Sequence, residues 1–118
     1  MKVLVVDDEP GLRNLIATYL QEEGHDVVTA SDGQRAINLL ESETPDLLIL
    51  DMMMPGWTGQ QVVRHIDREL GLTDLPLILL QPTGHQRWLP DEHTVADVLP
   101  KPFMLDGLAS SVNSILSD

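Results

Sequence analysis

Short unbroken apolar runs alternate along the chain with longer stretches in which apolar residues recur every three or four positions. Lys2 to Val6 reads as a buried strand that ends in Asp7, Asp8 and Glu9. Leu12, Leu15, Ile16, Tyr19 and Leu20 then follow the spacing of one helix face, with Pro10 near the start and Gly24 just past the end. Val27 to Ala30 is a second strand, and Ser31 or Asp32 can cap a second helix that turns Ala36, Leu39 and Leu40 inward. Pro45 and Asp46 lead into a third strand, Leu47 to Leu50. The helix after it starts near Thr58, carries Val62, Val63, Ile66 and Leu70 inward and ends at Gly71. Pro76 opens a fourth strand, Leu77 to Leu80. A fifth, near Ala96 to Leu99, precedes a last helix whose inward face is Leu105, Leu108, Ala109, Val112 and Leu116. Between these last two strands, Gln81 to Thr94 contains Pro82, Gly84 and Pro90 and develops no apolar stripe, so a helix there is short or distorted.

Strand and helix alternate throughout, and the strands are continuous apolar runs. That pattern suits a parallel sheet covered by helices on both faces, in a single α/β domain. In such open sheets the functional crevice lies at the carboxyl ends of the strands. No repeat, low-complexity segment or linker interrupts the chain.

Composition narrows the function. Of 118 residues, 42% are apolar but only 3% aromatic, so aliphatic side chains fill the core. Seven Lys and Arg against 19 Asp and Glu leave a net charge of −12, which argues against direct nucleic-acid binding and for a cation or a basic partner surface. With no cysteine there is neither a disulfide nor a thiolate metal site. No apolar run reaches the roughly 20 residues of a membrane span, and no signal peptide opens the chain, so a cytoplasmic location is expected.

The residues at the carboxyl ends of the strands form a chemical set: Asp7 and Asp8, Asp51, Gln81 and Lys101. Three carboxylates against one ammonium leave an excess of two negative charges, which one divalent ion cancels. Hard oxygen ligands without His or Cys favour Mg²⁺. A carboxylate beside Mg²⁺ and a lysine is also a competent nucleophile toward phosphorus.

The segments VLVVDDEP, LLILDMMMPGWTG and VLPKPF, in this order, resemble the receiver domain of two-component response regulators over essentially the whole chain. The resemblance implies a flavodoxin-like doubly wound sandwich, a five-stranded parallel sheet of order 2-1-3-4-5 flanked by about five helices, here with a short or irregular fourth. It implies that Asp51 is the phosphoacceptor, charged by a histidine kinase, a phosphotransfer protein or a small acyl-phosphate donor. Asp8 then matches the direct Mg²⁺ ligand, Asp7 the ligand acting through water, and Met53 the residue whose backbone carbonyl completes the set. Lys101 matches the phosphate-contacting lysine, and its bond to Pro102 is cis in the family. Such a domain phosphorylates itself and slowly loses the phosphate without an independent substrate. The expectation is one receiver domain over residues 1–118, with no output domain in this chain and an unnamed downstream protein as target.

Two positions depart from the family. Its fourth strand ends in Thr or Ser followed by Ala, where this chain has Gln81 and Pro82, with Thr83 the nearest hydroxyl. The second switch position, usually aromatic, is Val98. Gln81 therefore reads equally as drift or as a specialised phosphate contact. The alternative function is a phosphorylation-independent protein-binding module with a broken switch. A phosphatase with its own substrate ranks behind both, because Met53 provides no general acid near Asp51. Met52, Met53 and Met54 read as packing, Trp57 equally as packing or partner contact, and His25, His65, His85 and His93 as surface residues.

Overall fold

The apolar runs become the strands of one sheet: β1 (Lys2–Val6), β2 (Asp26–Ala30), β3 (Leu47–Asp51), β4 (Leu77–Pro82) and β5 (Asp97–Lys101). A computed structural model describes residues 1–82, 89–90, 93 and 95–117. The strands are all parallel, in the order β2-β1-β3-β4-β5, which is the flavodoxin-like order. Four helices occur among the described residues: α1 (Pro10–Glu22), α2 (Gly33–Ser42), α3 (Gly59–Arg68) and α4 (Leu105–Leu116). The irregular fourth helix expected after Gln81 lies largely outside the described residues, as do Thr83 and His85. No helix among the described residues is long and apolar enough to cross a membrane.

Side-chain alternation along the strands builds two cores. Val3, Val5, Leu47, Ile49, Ile78 and Leu80 meet α1 and α4 through Ile16, Leu20, Leu108 and Val112. Leu4, Val6, Leu48, Leu50, Leu77 and Leu79 meet α2 and α3 through Ala36, Ile37, Leu40, Val62, Val63 and Ile66. Because both faces are covered, every residue of β3 is buried, and unbroken apolarity rather than alternation marks the strand.

The helix starts follow from local chemistry. Asp32 accepts the Arg35 amide at 2.8 Å and caps α2. Thr58 and Gln61 form a reciprocal capping box at α3, with contacts of 3.2 and 2.9 Å. β4 runs two residues further than the apolar pattern indicates, through Pro82, which pairs with Lys101 of β5. The pairing of β3 with β4 ends at Leu80, so the missing proline N–H falls beyond that ladder.

Three expectations need correction. Leu15 fits the helical spacing of α1, yet it is 52% exposed and Ala17 is buried in its place. Met53 faces outward, whereas Met52 and Met54 are buried as expected. His93 is buried rather than superficial, and His25 and His65 are half-buried.

His93 Nδ1 lies 2.5 Å from the Asp67 carboxylate of α3, and its Nε2 lies 2.7 Å from the Leu75 carbonyl. Each ring nitrogen thus faces an acceptor, a carboxylate on one side and a carbonyl on the other. This bridge ties the segment before β5 to α3 and to the entry of β4. Removing either member strands a buried polar or charged partner. His93→Ala and Asp67→Ala are each expected to cost roughly 3–5 kcal/mol in urea unfolding. The double variant should cost clearly less than the sum of the two; additive losses would deny the coupling.

Candidate functional site

The parallel sheet delivers the carboxyl ends of β1, β3 and β5 to one edge, and the residues there converge. Asp7 is fully buried. Its Oδ1 accepts the Glu9 amide at 3.0 Å, and its carbonyl accepts the Arg13 guanidinium at 2.9 Å. Asp8, the next residue, is exposed. Asp51, the last residue of β3, is 2% exposed, and its Oδ1 accepts the Met53 amide at 3.1 Å. Lys101 closes β5 and extends its ammonium to Asp7 Oδ2 at 2.9 Å and Asp51 Oδ2 at 3.3 Å. The Lys101–Pro102 peptide bond is cis.

The electrostatics follow from burial and from unequal charge. Burial pushes the Asp51 carboxyl up from 3.8 to about 6. The Met53 amide works against this shift, the Asp7 charge adds to it, and Lys101 opposes it. For Lys101, burial disfavours the ammonium, but its contacts with Asp7 and Asp51 outweigh that cost and raise its pKa. One ammonium therefore falls short of neutralising the group.

Carboxylate oxygens of Asp7, Asp8 and Asp51 all lie within 4.8 Å of one another. Ligands around Mg²⁺ sit at about 2.1 Å from the metal and hence within about 4.2 Å of one another. The three carboxylates thus need to close only slightly on a small, hard dication, and an all-oxygen donor set is the type such an ion takes.

The sheet register places the remaining candidates. Asp51 pairs with Leu80, so Gln81 stands one residue further along β4, buried, opposite Pro100. Val98 pairs with Leu79 and is half-buried against the core shared with α2 and α3. By strand alternation Gln81 lies on that same face. Met53 sits beside Asp51 with its side chain 56% exposed, leaving its backbone as the part nearest the site chemistry.

Two features escaped the sequence. Arg13 braces the Asp7 backbone from α1; a cation five residues after Asp8 is its only trace. Gly59 lets α3 begin directly against the end of β3. Its amide donates to the Met52 carbonyl at 3.1 Å, and a Cβ there would lie 2.5 Å from Met52 Sδ and 2.7 Å from Met52 Cα.

Known proteins resemble this chain in sequence and architecture. The family model for the response regulator receiver domain matches residues 3–113. The probable transcriptional regulator ycf27 of Guillardia theta is 39% identical over 117 residues, covering 98% of this chain and 45% of that protein. The phosphate regulon transcriptional regulatory protein PhoB of Escherichia coli (strain K12) is 32% identical, covering 98% and 51% respectively. The chain thus spans about half the length of the curated relatives it matches. Response regulator protein TrrA of Thermotoga maritima, solved in complex with Mg²⁺-BeF, superposes with a TM-score of 0.84 at 36% identity, each chain covered to 98%. TrrA in complex with histidine kinase ThkA gives 0.82 at 37%, with the same coverage. Sequence match, strand order and the convergence of Asp7, Asp8, Asp51 and Lys101 agree: the chain belongs to the response regulator receiver domain family.

Proposed function

We propose that Asp51 accepts a phosphoryl group from the phosphohistidine of a histidine kinase or phosphotransfer protein, and that its charge state alters binding to a downstream partner. One observation carries this reading. Asp51 is buried between a lysine ammonium and further carboxylates at the strand-end crevice. The complexes of TrrA with Mg²⁺-BeF and with ThkA support the metal and the kinase.

In the transfer, a carboxylate oxygen of Asp51 bonds to phosphorus as the phosphorus–nitrogen bond breaks. The electron pair leaves on the donor imidazole, which takes up a proton from solvent. Lys101 meets the negative oxygens of the transferring group, since its ammonium already faces the Asp51 carboxylate. Asp8, Asp51 and the Met53 carbonyl would ligate Mg²⁺ directly and Asp7 through water. The ion, when bound, neutralises charge on the phosphoryl oxygens. The Met53 amide keeps Asp51 Oδ1 oriented.

A second reading has its own observation. Gln81 occupies the usual hydroxyl position and Val98 the usual aromatic one. A chain with an intact pocket and a silent switch would bind its partner regardless of phosphate.

Two experiments address the site. With Mg²⁺ and a small acyl-phosphate donor, intact-mass analysis should give one phosphoryl adduct that vanishes in Asp51→Asn and without Mg²⁺. An unmodified wild-type chain under every donor condition would favour the second reading.

The other experiment is a stability measurement in metal-free buffer. The folded-state pKa of Asp51 is raised from 3.8 to about 6. Folding therefore favours its protonated form, and that contribution is lost as pH rises through this window. Asp51→Asn should escape the loss and unfold at higher urea than wild type at pH 7.5, by an amount on the order of 1–3 kcal/mol. Added Mg²⁺ should stabilise wild type far more than the variant. Equal pH profiles for the two proteins would remove the charge conflict from the account.

A further inference from the structure

The outward face of α3 carries a second cluster, apart from the strand-end carboxylates. Gln61, Arg64, His65 and Arg68 fall at i, i+3, i+4 and i+7, opposite the inward Val62, Val63 and Ile66. Together with Trp57 and Glu69 they line a cavity of about 410 Å³, a volume in the range of small-ligand sites. Trp57 and His65 meet edge to face, with ring centroids 5.6 Å apart.

Two independent observations mark this cavity. The first concerns the cations. Among the described lysines and arginines, Lys2 pairs with Glu43, Arg13 with the Asp7 carbonyl, Arg35 with Asp32 and Lys101 with Asp7 and Asp51. Arg64 and Arg68 have no such acceptor among the described residues, in a chain with 19 acids to choose from. Both line the same cavity. The second concerns His65, whose Nε2 is buried and lacks a hydrogen-bond partner among the described residues. An unpaired buried polar atom is costly unless something completes it.

We infer that this cavity binds a nucleoside phosphate, with the phosphate held by Arg64 and Arg68 and the base lying beside Trp57. Guanidinium groups match phosphate oxygens in pairs, and an indole is a platform for a planar ring. His65, edge to face with Trp57, holds the indole in place. Glu69, which would repel a bare anion, instead accepts from the N–H edge of a base. The mixture of two cations, one acid and one aromatic wall suits a ligand with an anionic end and a donor-bearing ring better than it suits inorganic phosphate. The net charge of −12 repels any anion at long range, so binding rests on these short contacts and not on steering.

The test is a titration of the ¹⁵N-labelled chain with GMP in metal-free buffer at about 0.15 M salt, where long-range repulsion is screened. Inorganic phosphate, guanosine and a glutamate-rich peptide serve as comparison ligands. Amide shifts confined to residues 56–69, with GMP about tenfold or more tighter than phosphate or guanosine, are expected. Arg64→Gln with Arg68→Gln should weaken binding by about tenfold or more and leave Asp51 phosphorylation intact. Asp51→Asn should bind GMP like wild type, which separates this site from the acceptor. GMP shifts outside this face, equal affinity for phosphate alone, or a response only to the acidic peptide would each overturn the assignment.

Discussion

A single ammonium holds the carboxyl end of the sheet together. Lys101 reaches Asp7 at 2.9 Å and Asp51 at 3.3 Å, and both carboxylates are buried. Two desolvated acids this close would expel one another or take up a proton if no cation stood between them. One positive charge is enough to keep them in place but not to satisfy them. Burial, with the Asp7 charge adding to it, pushes the Asp51 carboxyl up to about 6 despite that cation. Adding the exposed Asp8 deepens the deficit and brings a carboxylate that solvent can reach. The site is therefore assembled as an incomplete charge balance, stable enough to fold and short of positive charge.

That imbalance is tolerable because the scaffold beneath it is rigid. β3 is buried along its whole length, between β1 and β4 and between two apolar layers. Its end is pinned again by α3, which begins at Gly59, where an added Cβ would lie 2.7 Å from Met52 Cα and 3.1 Å from the Asp51 carbonyl oxygen. The Thr58 and Gln61 capping box fixes the helix start at the same point. Asp51 thus sits at a junction of strand, loop and helix where backbone freedom is small. A pre-oriented carboxylate of this kind would need little rearrangement to meet a phosphoryl donor, were Asp51 the acceptor proposed above.

Most of the fold was legible because its signals are local or periodic. Continuous apolar runs mark buried strands, and Val62, Val63 and Ile66 mark the inner face of α3. The acids and the lysine lie at the strand ends where the crevice of such sheets forms. The failures share a different cause. Leu15 satisfies the helical period, but its position on α1 lies at the rim of the helix contact, and Ala17 takes the buried place. His93 looked superficial because its neighbours in sequence are polar. Its partners, Asp67 and the Leu75 carbonyl, are far away along the chain. Arg13 and the Arg64–Arg68 pair were overlooked for the related reason that an exposed helix cation carries no label for what it faces. What separates the residues that were read from those that were missed is whether a motif or a period marks them in the sequence.

The replacement at Gln81 bears on how a change at Asp51 leaves the site. A threonine hydroxyl can turn about one bond and find a new acceptor. A glutamine has three torsions and an amide with two donors and an acceptor, and burial requires those groups to be satisfied wherever they go. Gln81 is buried one residue beyond the strand partner of Asp51, so a large swing would exchange several contacts at once. Val98, on the same face of the sheet, is aliphatic and packed on the core with no ring to rotate. Side-chain rotation would thereby be a poor carrier of any signal from Asp51. The β3–α3 junction is a better one, since the Asp51 carboxylate, the Met53 amide and the Gly59 contact with Met52 are mechanically continuous. A phosphoryl group on Asp51 would change the carboxylate that now accepts the Met53 amide, and the start of α3 lies only a few residues further along the chain.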